Sequence, residues 1–404
     1  MKIENLENCS GCHACYSVCS KYAIEMKENK EGFLYPQIDK SKCVKCGLCE
    51  KACHSLNSLR KESEYTKAYA AINKDEEIRL NSSSGGIFTA IAEKVIEQGG
   101  IVFGAKFAPD FSVVHGFTDT KEGLSDFRGS KYLQSIIGDS YKECKKFLET
   151  GRKVLFTGTP CQVQGLKKYL GKDYNNLYAV DFICHGVPSP LLWQKYVDYR
   201  AEKNHSNRRN IMKTAFRRKD DGWKLYSISF TFANYNEYRL PLTKDPYMQI
   251  FLKNYALRKS CYECSCRGIK RVSDITIADF WGIQNVLPEI DDDKGTSFVV
   301  SHSDKGKSLI ASFQNCKLFE IDIADGVKYN PSMNESPKYP KQRGTFYEDL
   351  NRIVFSKIIR KYAITPVYLR IYTNVRRICI LVVRFIIGES NFQNVKRKFK
   401  RGSV

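Results

Sequence analysis

Lys153-Val154-Leu155-Phe156-Thr157-Gly158-Thr159-Pro160-Cys161-Gln162 passes from a short apolar run through a turn into a helical stretch that lasts to Leu170. An apolar run of this length bounded by turn residues reads as a buried strand. A strand leading into a helix is the repeating unit of an α/β sheet, and Cys161 falls at the carboxyl edge, where open sheets of this kind bind ligands. Working outward, Leu177 to Ile183 repeats the device and ends at Cys184-His185-Gly186, with a helix expected from Pro190 to Lys203. On the amino-terminal side, Tyr141 to Glu149 reads as a helix, and Ile101 to Phe107, Ser112 to Phe117 and Tyr69 to Asn73 as strands. The fold class is therefore α/β, with an α+β arrangement left open for the C-terminal part.

Ser82-Ser83-Ser84-Gly85-Gly86 opens a periodic segment, Ile87 to Gln98, closed by Gly99-Gly100. The serines suit a helix N-cap, and glycines with free amides at a helix N-terminus suit a phosphate or other anion; an ordinary cap and turn fits equally well. Tyr226 to Phe232 alternates like a strand with one exposed face. Cys261, Cys264 and Cys266 follow in Ser260-Cys261-Tyr262-Glu263-Cys264-Ser265-Cys266, and Ile275 to Ile277 leads to Asp279-Phe280-Trp281-Gly282. A C-x2-C pair plus two cysteines from strand ends supplies four thiolates, enough for a metal cluster. Taken singly, each reads better as a buried inert thiol, and spacing does not settle whether the four form a cluster.

The amino-terminal cysteines are more specific. Cys9, Cys12, Cys15 and Cys19, then Cys43, Cys46, Cys49 and Cys53, both form C-x2-C-x2-C-x3-C. This is the run of bacterial double-cluster ferredoxins, in which three close thiolates hold one 4Fe-4S cluster and the fourth cysteine crosses to the other. One cluster would take Cys9, Cys12, Cys15 and Cys53, the other Cys43, Cys46, Cys49 and Cys19. Four thiolates also suit zinc, but a third cysteine only three residues on strains the usual pair of knuckles. Ser20 and His54 stand where the ferredoxin pattern usually places proline. Gly32 to Ile38 reads as a strand or hairpin joining the two halves.

With 16 cysteines in 404 residues, eight of them before residue 54, and no apolar leader in Met1 to Asn8, metal ligation fits better than a secreted disulfide scaffold. The expected location is the cytoplasm. No run reaches the ~18 apolar residues of a membrane span. The division expected is a ferredoxin module at 1–60, a polar linker from Ser55 to Thr66, a body at 67–340 and a basic helical tail at 341–404.

Taken together, Ser83-Ser84-Gly85-Gly86, Gly129-Ser130-Lys131-Tyr132-Leu133-Gln134-Ser135, Gly158-Thr159-Pro160-Cys161-Gln162, Cys184-His185-Gly186-Val187-Pro188-Ser189-Pro190 and Cys261-Tyr262-Glu263-Cys264 running to Asp279-Phe280-Trp281-Gly282 resemble the beta subunit of coenzyme F420-reducing hydrogenase and its relatives, including the F420H2 dehydrogenase input subunit. With the double ferredoxin included, the resemblance covers about three quarters of the chain. It implies a flavoprotein binding FAD beside a 4Fe-4S cluster and exchanging electrons with a hydride-accepting coenzyme, typically F420. It further implies that Cys161, Cys184, Cys261 and Cys264 hold that third cluster, with Cys266 as the residue that could replace one of them. Ser84, Gly85, Gly86, Lys131, Tyr132, Gln134, Ser135, Thr157, Gly158, Thr159, Pro160 and Gln162 would surround the flavin, with Lys131 stabilising its reduced anionic form. Bacterial relatives often occur in polysaccharide-synthesis settings, so the substrate implied is F420 or another small molecule.

The formal charge of +21, from 65 Lys and Arg against 44 Asp and Glu, favours an acidic electron carrier of ferredoxin or flavodoxin type as partner. Nucleic acid is the competing partner, but no recognised nucleic-acid motif accompanies the charge. Nine basic residues and one acid, Glu389, lie between Thr365 and Val404, and Arg370, Arg377 and Arg384 would form one helical stripe. Such a helix could lie on an anionic membrane surface or pack on the body. The leading function class is an iron-sulfur flavoenzyme; a non-catalytic electron-transfer subunit is the second, and a zinc-bearing nucleic-acid binder the third.

Overall fold

The computed structural model describes residues 2–4, 6–59 and 67–364. Its body is built on an eight-stranded mixed sheet. The strands of the chain are β1 (Ile24–Glu28), β2 (Leu34–Ile38), β3 (Lys67–Asn73), β4 (Ile101–Phe107), β5 (Val113–Thr118), β6 (Val154–Gly158), β7 (Leu177–Phe182), β8 (Ile211–Arg218), β9 (Ser227–Phe232), β10 (Glu237–Pro241), β11 (Ile275–Asp279), β12 (Ser297–Ser301) and β13 (Cys316–Ile321). The large sheet runs β13-β3-β12-β11-β7-β6-β4-β5. Its centre, β11-β7-β6-β4, is parallel, and β5, β12, β3 and β13 are antiparallel. Val154, Leu155 and Phe156 are fully buried because helices cover both faces of the central strands. The mixed α/β class is thus as expected.

The sheet's parallel strands end together, which brings Thr157 to Thr159, Phe182 to Pro188 and Asp279 to one rim. β8, β9 and β10 form a separate antiparallel sheet. Here one expectation fails: β9 has no exposed face, with Ser227 to Phe230 and Phe232 all buried. It is the middle strand, and its apolar side meets an aromatic core in which Trp193 lies 4.7 Å from Phe216 and 5.1 Å from Tyr247 between ring centres. The serines on its other side are buried as well, so the polar alternation does not mark solvent.

That core also takes in Phe346, Tyr347, Leu350, Ile358 and Tyr362. The segment from 341 therefore begins with two helical pieces, Arg343–Arg352 and Phe355–Ile358, that belong to the body rather than to a separate tail. The arginine stripe at 370, 377 and 384 lies outside the described residues. Among the described residues, no helix is long and apolar enough to cross a membrane.

In the amino-terminal module, β1 and β2 pair antiparallel as the hairpin expected between the two cysteine runs. The module is held to the body by buried polar contacts. Arg258, fully buried, donates to the carbonyls of Cys9 at 2.7 Å and Leu34 at 2.9 Å, and to Gln134 Oε1 at 2.9 Å, while its guanidinium lies 4.2 Å from the Tyr35 ring centre. Arg343 forms a two-pronged ion pair with Glu31 at 2.7 and 2.6 Å, and the Ser189 hydroxyl donates to the Glu31 carbonyl at 2.5 Å.

Candidate functional site

Two side-chain groups and a cavity make up the site. Cys9, Cys12, Cys15 and Cys53 line one small apolar cavity with Ile3, Leu6, Met26 and Pro36. Burial pushes the thiols of Cys9, Cys12, Cys15 and Cys53 up, and in Cys15 the neighbouring Cys12, Cys9 and Cys53 add to the rise. Four thiols in one apolar site cannot ionise together without a cationic group to take their charge, which is what an iron-sulfur core supplies. Cys49 and Cys19, from the other set, share an apolar cluster with Ile24 and Ile38, and Cys46 is exposed. The first set meets the body, where the Cys9 carbonyl accepts from Arg258 and Cys12 packs on Gly165; in the second, Cys46 is exposed and Cys49 buried.

The second group is in the body. Cys161 opens the helix Pro160–Leu170, whose start is fixed by a reciprocal pair: the Thr159 hydroxyl accepts from the Gln162 amide, and Gln162 Oε1 accepts from the Thr159 amide. Burial raises the Cys161 thiol, and Cys264, Cys184 and Cys261 nearby raise it further. Cys184 is pushed up to about 12 by burial and by Cys261 and Cys264. The Val187 amide donates to Cys261 Sγ at 3.4 Å. A hydrogen bond from Cys266 pulls the Cys264 thiol down, and Cys266 itself is buried. Strand ends 6 and 7 and the 261–266 loop thus bring the predicted cysteines within one another's electrostatic field. Among the described residues, no three His, Cys, Asp or Glu side chains converge at the spacing of a single ion.

Beside Cys184 opens a cavity of about 570 Å³, within the range of cofactor sites. Of the residues expected around a flavin, Ser84, Gly86, Lys131, Tyr132, Ser135, Thr157, Gly158, Thr159 and Gln162 line it. Gly85, Gln134 and Pro160 do not. A Cβ on Gly85 would stand 2.3 Å from the Ala71 carbonyl, so this glycine serves close packing against β3. Gln134 is spent on the module interface, donating to the Ser10 carbonyl at 2.9 Å and accepting from Arg258.

The serines before Ile87 are not its N-cap. That position is Gly86, at φ 83°, with no side-chain cap. Ser84 donates to the Thr296 carbonyl at 2.7 Å, Ser82 to that of Ile78, and Ser83 Oγ meets Ser130 Oγ at 2.7 Å. The eleven-residue helix Ile87–Glu97 therefore presents an N-terminus without a side-chain cap to the cavity wall, while Ser83 and Ser130 join two of the matching stretches at its rim. Lys131 Nζ donates to the carbonyls of Asp126 at 2.8 Å, Arg128 at 3.2 Å and Gly129 at 3.3 Å, so its three hydrogens are directed at its own loop.

One pair was missed from sequence. Arg217 and Asp279 form a two-pronged ion pair at 2.9 Å for both bonds on the cavity wall. Arg217 also donates to Tyr132 Oη and the Ser83 carbonyl, and Asp279 accepts from Trp223 Nε1. Asp279 is visible in sequence as the first residue of Asp-Phe-Trp-Gly; Arg217 sits in the basic run Arg217-Arg218-Lys219, which carries no motif.

The 4Fe-4S dicluster domain model matches residues 8–56. The coenzyme F420 hydrogenase/dehydrogenase beta subunit models match at 68–138 for the N-terminal part and at 151–326 for the C-terminal part. The chain belongs to this beta-subunit family. It is an iron-sulfur electron-transfer protein of an F420 hydrogenase/dehydrogenase-type family, with an amino-terminal 4Fe-4S dicluster domain. Among solved structures, a chain of the F420-reducing nickel-iron hydrogenase complex from Methanosarcina barkeri is similar at 17% identity and a TM-score of 0.43, over 68% of this chain and 93% of that one. No curated protein matches the chain.

Proposed function

We propose that the chain is an oxidoreductase in which electrons pass between an acidic protein carrier, three 4Fe-4S clusters and FAD, and between FAD and a small hydride acceptor. The acceptor is F420 or another small substrate, the polysaccharide-synthesis setting of bacterial relatives giving the second class. The observation that carries this reading is continuity. Cys12 packs on Gly165 of the helix Pro160–Leu170, which carries Cys161 in its first turn, the thiols of Cys161, Cys184, Cys261 and Cys264 share one field, and Cys184 lines the cavity.

Cys9, Cys12, Cys15 and Cys53 would hold the inner cluster, Cys43, Cys46, Cys49 and Cys19 the outer, and Cys161, Cys184, Cys261 and Cys264 the third. Bound FAD would supply the exchange of a hydride for single electrons. The residues fit such a group: the N-terminus of Ile87–Glu97 suits a pyrophosphate, and Tyr132, Tyr226 and Trp281 offer aromatic walls. Burial lowers the Lys131 ammonium to about 7, so near neutral pH this group beside the cavity, held by three carbonyls, can gain or lose a proton, and Arg217 with Asp279 fixes Tyr132 and Ser83 in place.

The test is iron and flavin per chain on protein purified without oxygen. About 12 iron atoms with one FAD support the reading; about 8 without flavin reduce it to the dicluster domain. Zinc in place of iron would overturn both. The second reading, an electron-transfer subunit whose chemistry lies in a partner, is favoured by the family's beta-subunit character. It fails if the isolated chain turns over a soluble donor and acceptor.

A further inference from the structure

Ser83, Ser84 and Gly86 form part of the cavity wall, and the carbonyl oxygens of residues 83–86 each accept a hydrogen bond from another part of the fold. Arg217 donates to that of Ser83 at 2.8 Å, Lys219 Nζ to that of Ser84 at 2.8 Å, the Asn73 amide to that of Gly85 at 2.8 Å, and Asn73 Nδ2 to that of Gly86 at 3.4 Å. Lys219 Nζ also donates to the carbonyls of Arg79 at 2.7 Å and Lys294 at 2.8 Å. An ammonium has three N–H donors and no acceptor, so all of its hydrogens go to backbone oxygens, and Lys219 does not itself line the cavity. We propose that Lys219 is a positioning residue for the cofactor cavity, which holds the wall at residues 83–86 in the arrangement that accepts the anionic part of the cofactor.

This rests on the reading above that the cavity takes FAD. A carbonyl oxygen carries partial negative charge, so one turned into the cavity would oppose a phosphate there. Occupied by donors from outside the segment, the four successive oxygens are held away from that role. Lys219 ties together the most distant stretches: the helix Glu76–Asn81 through Arg79, the wall through Ser84, and the loop before β12 through Lys294. The same loop is fastened at neighbouring points. Arg79 Nε donates to the Gly295 carbonyl at 2.9 Å, its two terminal nitrogens pair with Asp292 at 2.7 and 2.6 Å, and the Ser84 hydroxyl donates to the Thr296 carbonyl at 2.7 Å. Gly295 stands at φ 100°, and a Cβ there would lie 3.0 Å from the Ser84 carbonyl and 3.1 Å from Lys219 Nζ, so the loop rests directly on the clamp. Removing the ammonium leaves three carbonyls without this donor and frees the Ser84 peptide to turn its oxygen toward the cavity. Because Lys219 does not line the cavity, its loss takes away no wall contact, only the arrangement of the wall.

The experiment uses the full chain, purified without oxygen and freed of any bound flavin, as wild type, Lys219→Met and Lys219→Arg. Dissociation constants are measured for FAD, ADP and riboflavin, with iron per chain as the check that the fold is intact. ADP carries the phosphates without the flavin ring, and riboflavin carries the ring without the phosphates. In Lys219→Met, FAD and ADP should bind about tenfold more weakly while riboflavin stays within about twofold of wild type. A side chain that only stabilised the fold would weaken all three alike. Lys219→Arg keeps the charge, but its planar fork cannot replace a point donor among three carbonyls, so ADP affinity should return only in part. Should Lys219→Met fail to fold, Lys219→Arg is read alone against wild type. Equal weakening of riboflavin and ADP, undiminished ADP binding in Lys219→Met, or wild-type ADP affinity in Lys219→Arg overturns the positioning role. Wild type that binds neither FAD nor ADP overturns the FAD reading itself, whatever the variants do.

Discussion

The sulfur of Cys12 stands 2.9 Å from the point where a side chain on Gly165 would begin. The same point is 2.9 Å from Tyr141 Oη, so the helix Pro160–Leu170 meets the ferredoxin module through a position that admits no Cβ. A glycine inside a helix ordinarily costs about 0.5–1 kcal/mol relative to alanine. Gly165→Ala should therefore stabilise on propensity alone, but the overlap with Cys12 and Tyr141 costs about 1–3 kcal/mol. The expected outcome is a lower melting temperature together with iron loss from the inner cluster. A raised melting temperature with full iron would refute the contact.

Arg258 makes a second prediction about the same interface. Its guanidinium serves two module carbonyls, Gln134 and the Tyr35 ring from a fully buried position. Arg258→Lys keeps the charge but cannot reproduce the planar fork, leaving buried acceptors unmet. A loss of about 3 kcal/mol or more is expected from the urea midpoint. A loss under about 1 kcal/mol would mean that the module is held elsewhere, with the Arg343–Glu31 pair the next contact to remove.

These two residues also mark what the sequence could and could not convey. The central strands, the helices at Ile87, Pro160 and Pro190, and the arrival of Cys161 and Cys184 at strand ends were readable, because each is encoded by a local apolar run and its flanking turn residues. The dicluster domain was readable for a similar reason, two cysteine runs written at one repeated spacing. Arg258 reaches Cys9 across 249 residues, and Arg217 reaches Asp279 across 62. No local period encodes such pairs. β9 was misjudged because alternation reports two different faces, not which of them meets water, and its serine face is covered.

His115 yields a pH prediction. It lies on the cavity wall, with Nε2 hydrogen-bonded to the Thr157 carbonyl at 3.0 Å and the ring stacked on Phe156. Burial pushes its pKa down from 6.5 to about 4, against the pull of the Thr157 carbonyl. The unfolded chain takes up this proton near pH 6.5 and the folded chain does not until about pH 4. Its contribution to stability is therefore complete above pH 6.5 and is lost as pH falls toward 4. His13 and His54 are pushed down in the same way, so the slope is shared. His115→Gln should reduce the slope in that window by about 1.4 kcal/mol per pH unit, read from urea midpoints at several pH values. An unchanged slope would mean that His115 is charged in the folded protein.

Asp279 gives the sharpest test of the cavity. Its carboxylate accepts both prongs of Arg217, whose side chain is 2% exposed, and also the Trp223 indole N–H at 3.1 Å. Through Arg217 it holds Tyr132 and the Ser83 carbonyl, both on the cavity wall. Asp279→Asn leaves that guanidinium buried without its counter-charge, a loss on the order of 3–5 kcal/mol where the site cannot relax. The cysteines do not depend on this pair. Iron should therefore stay near the wild-type count while the flavin proposed for this cavity falls severalfold, measured on the same sample by metal analysis and by flavin released on denaturation. Asp279→Glu, which restores the charge at a longer reach, should recover part of the flavin. Undiminished flavin in Asp279→Asn would place the flavin away from the Arg217 wall, and equal loss of iron and flavin would mean that the pair supports the whole body and not the cavity.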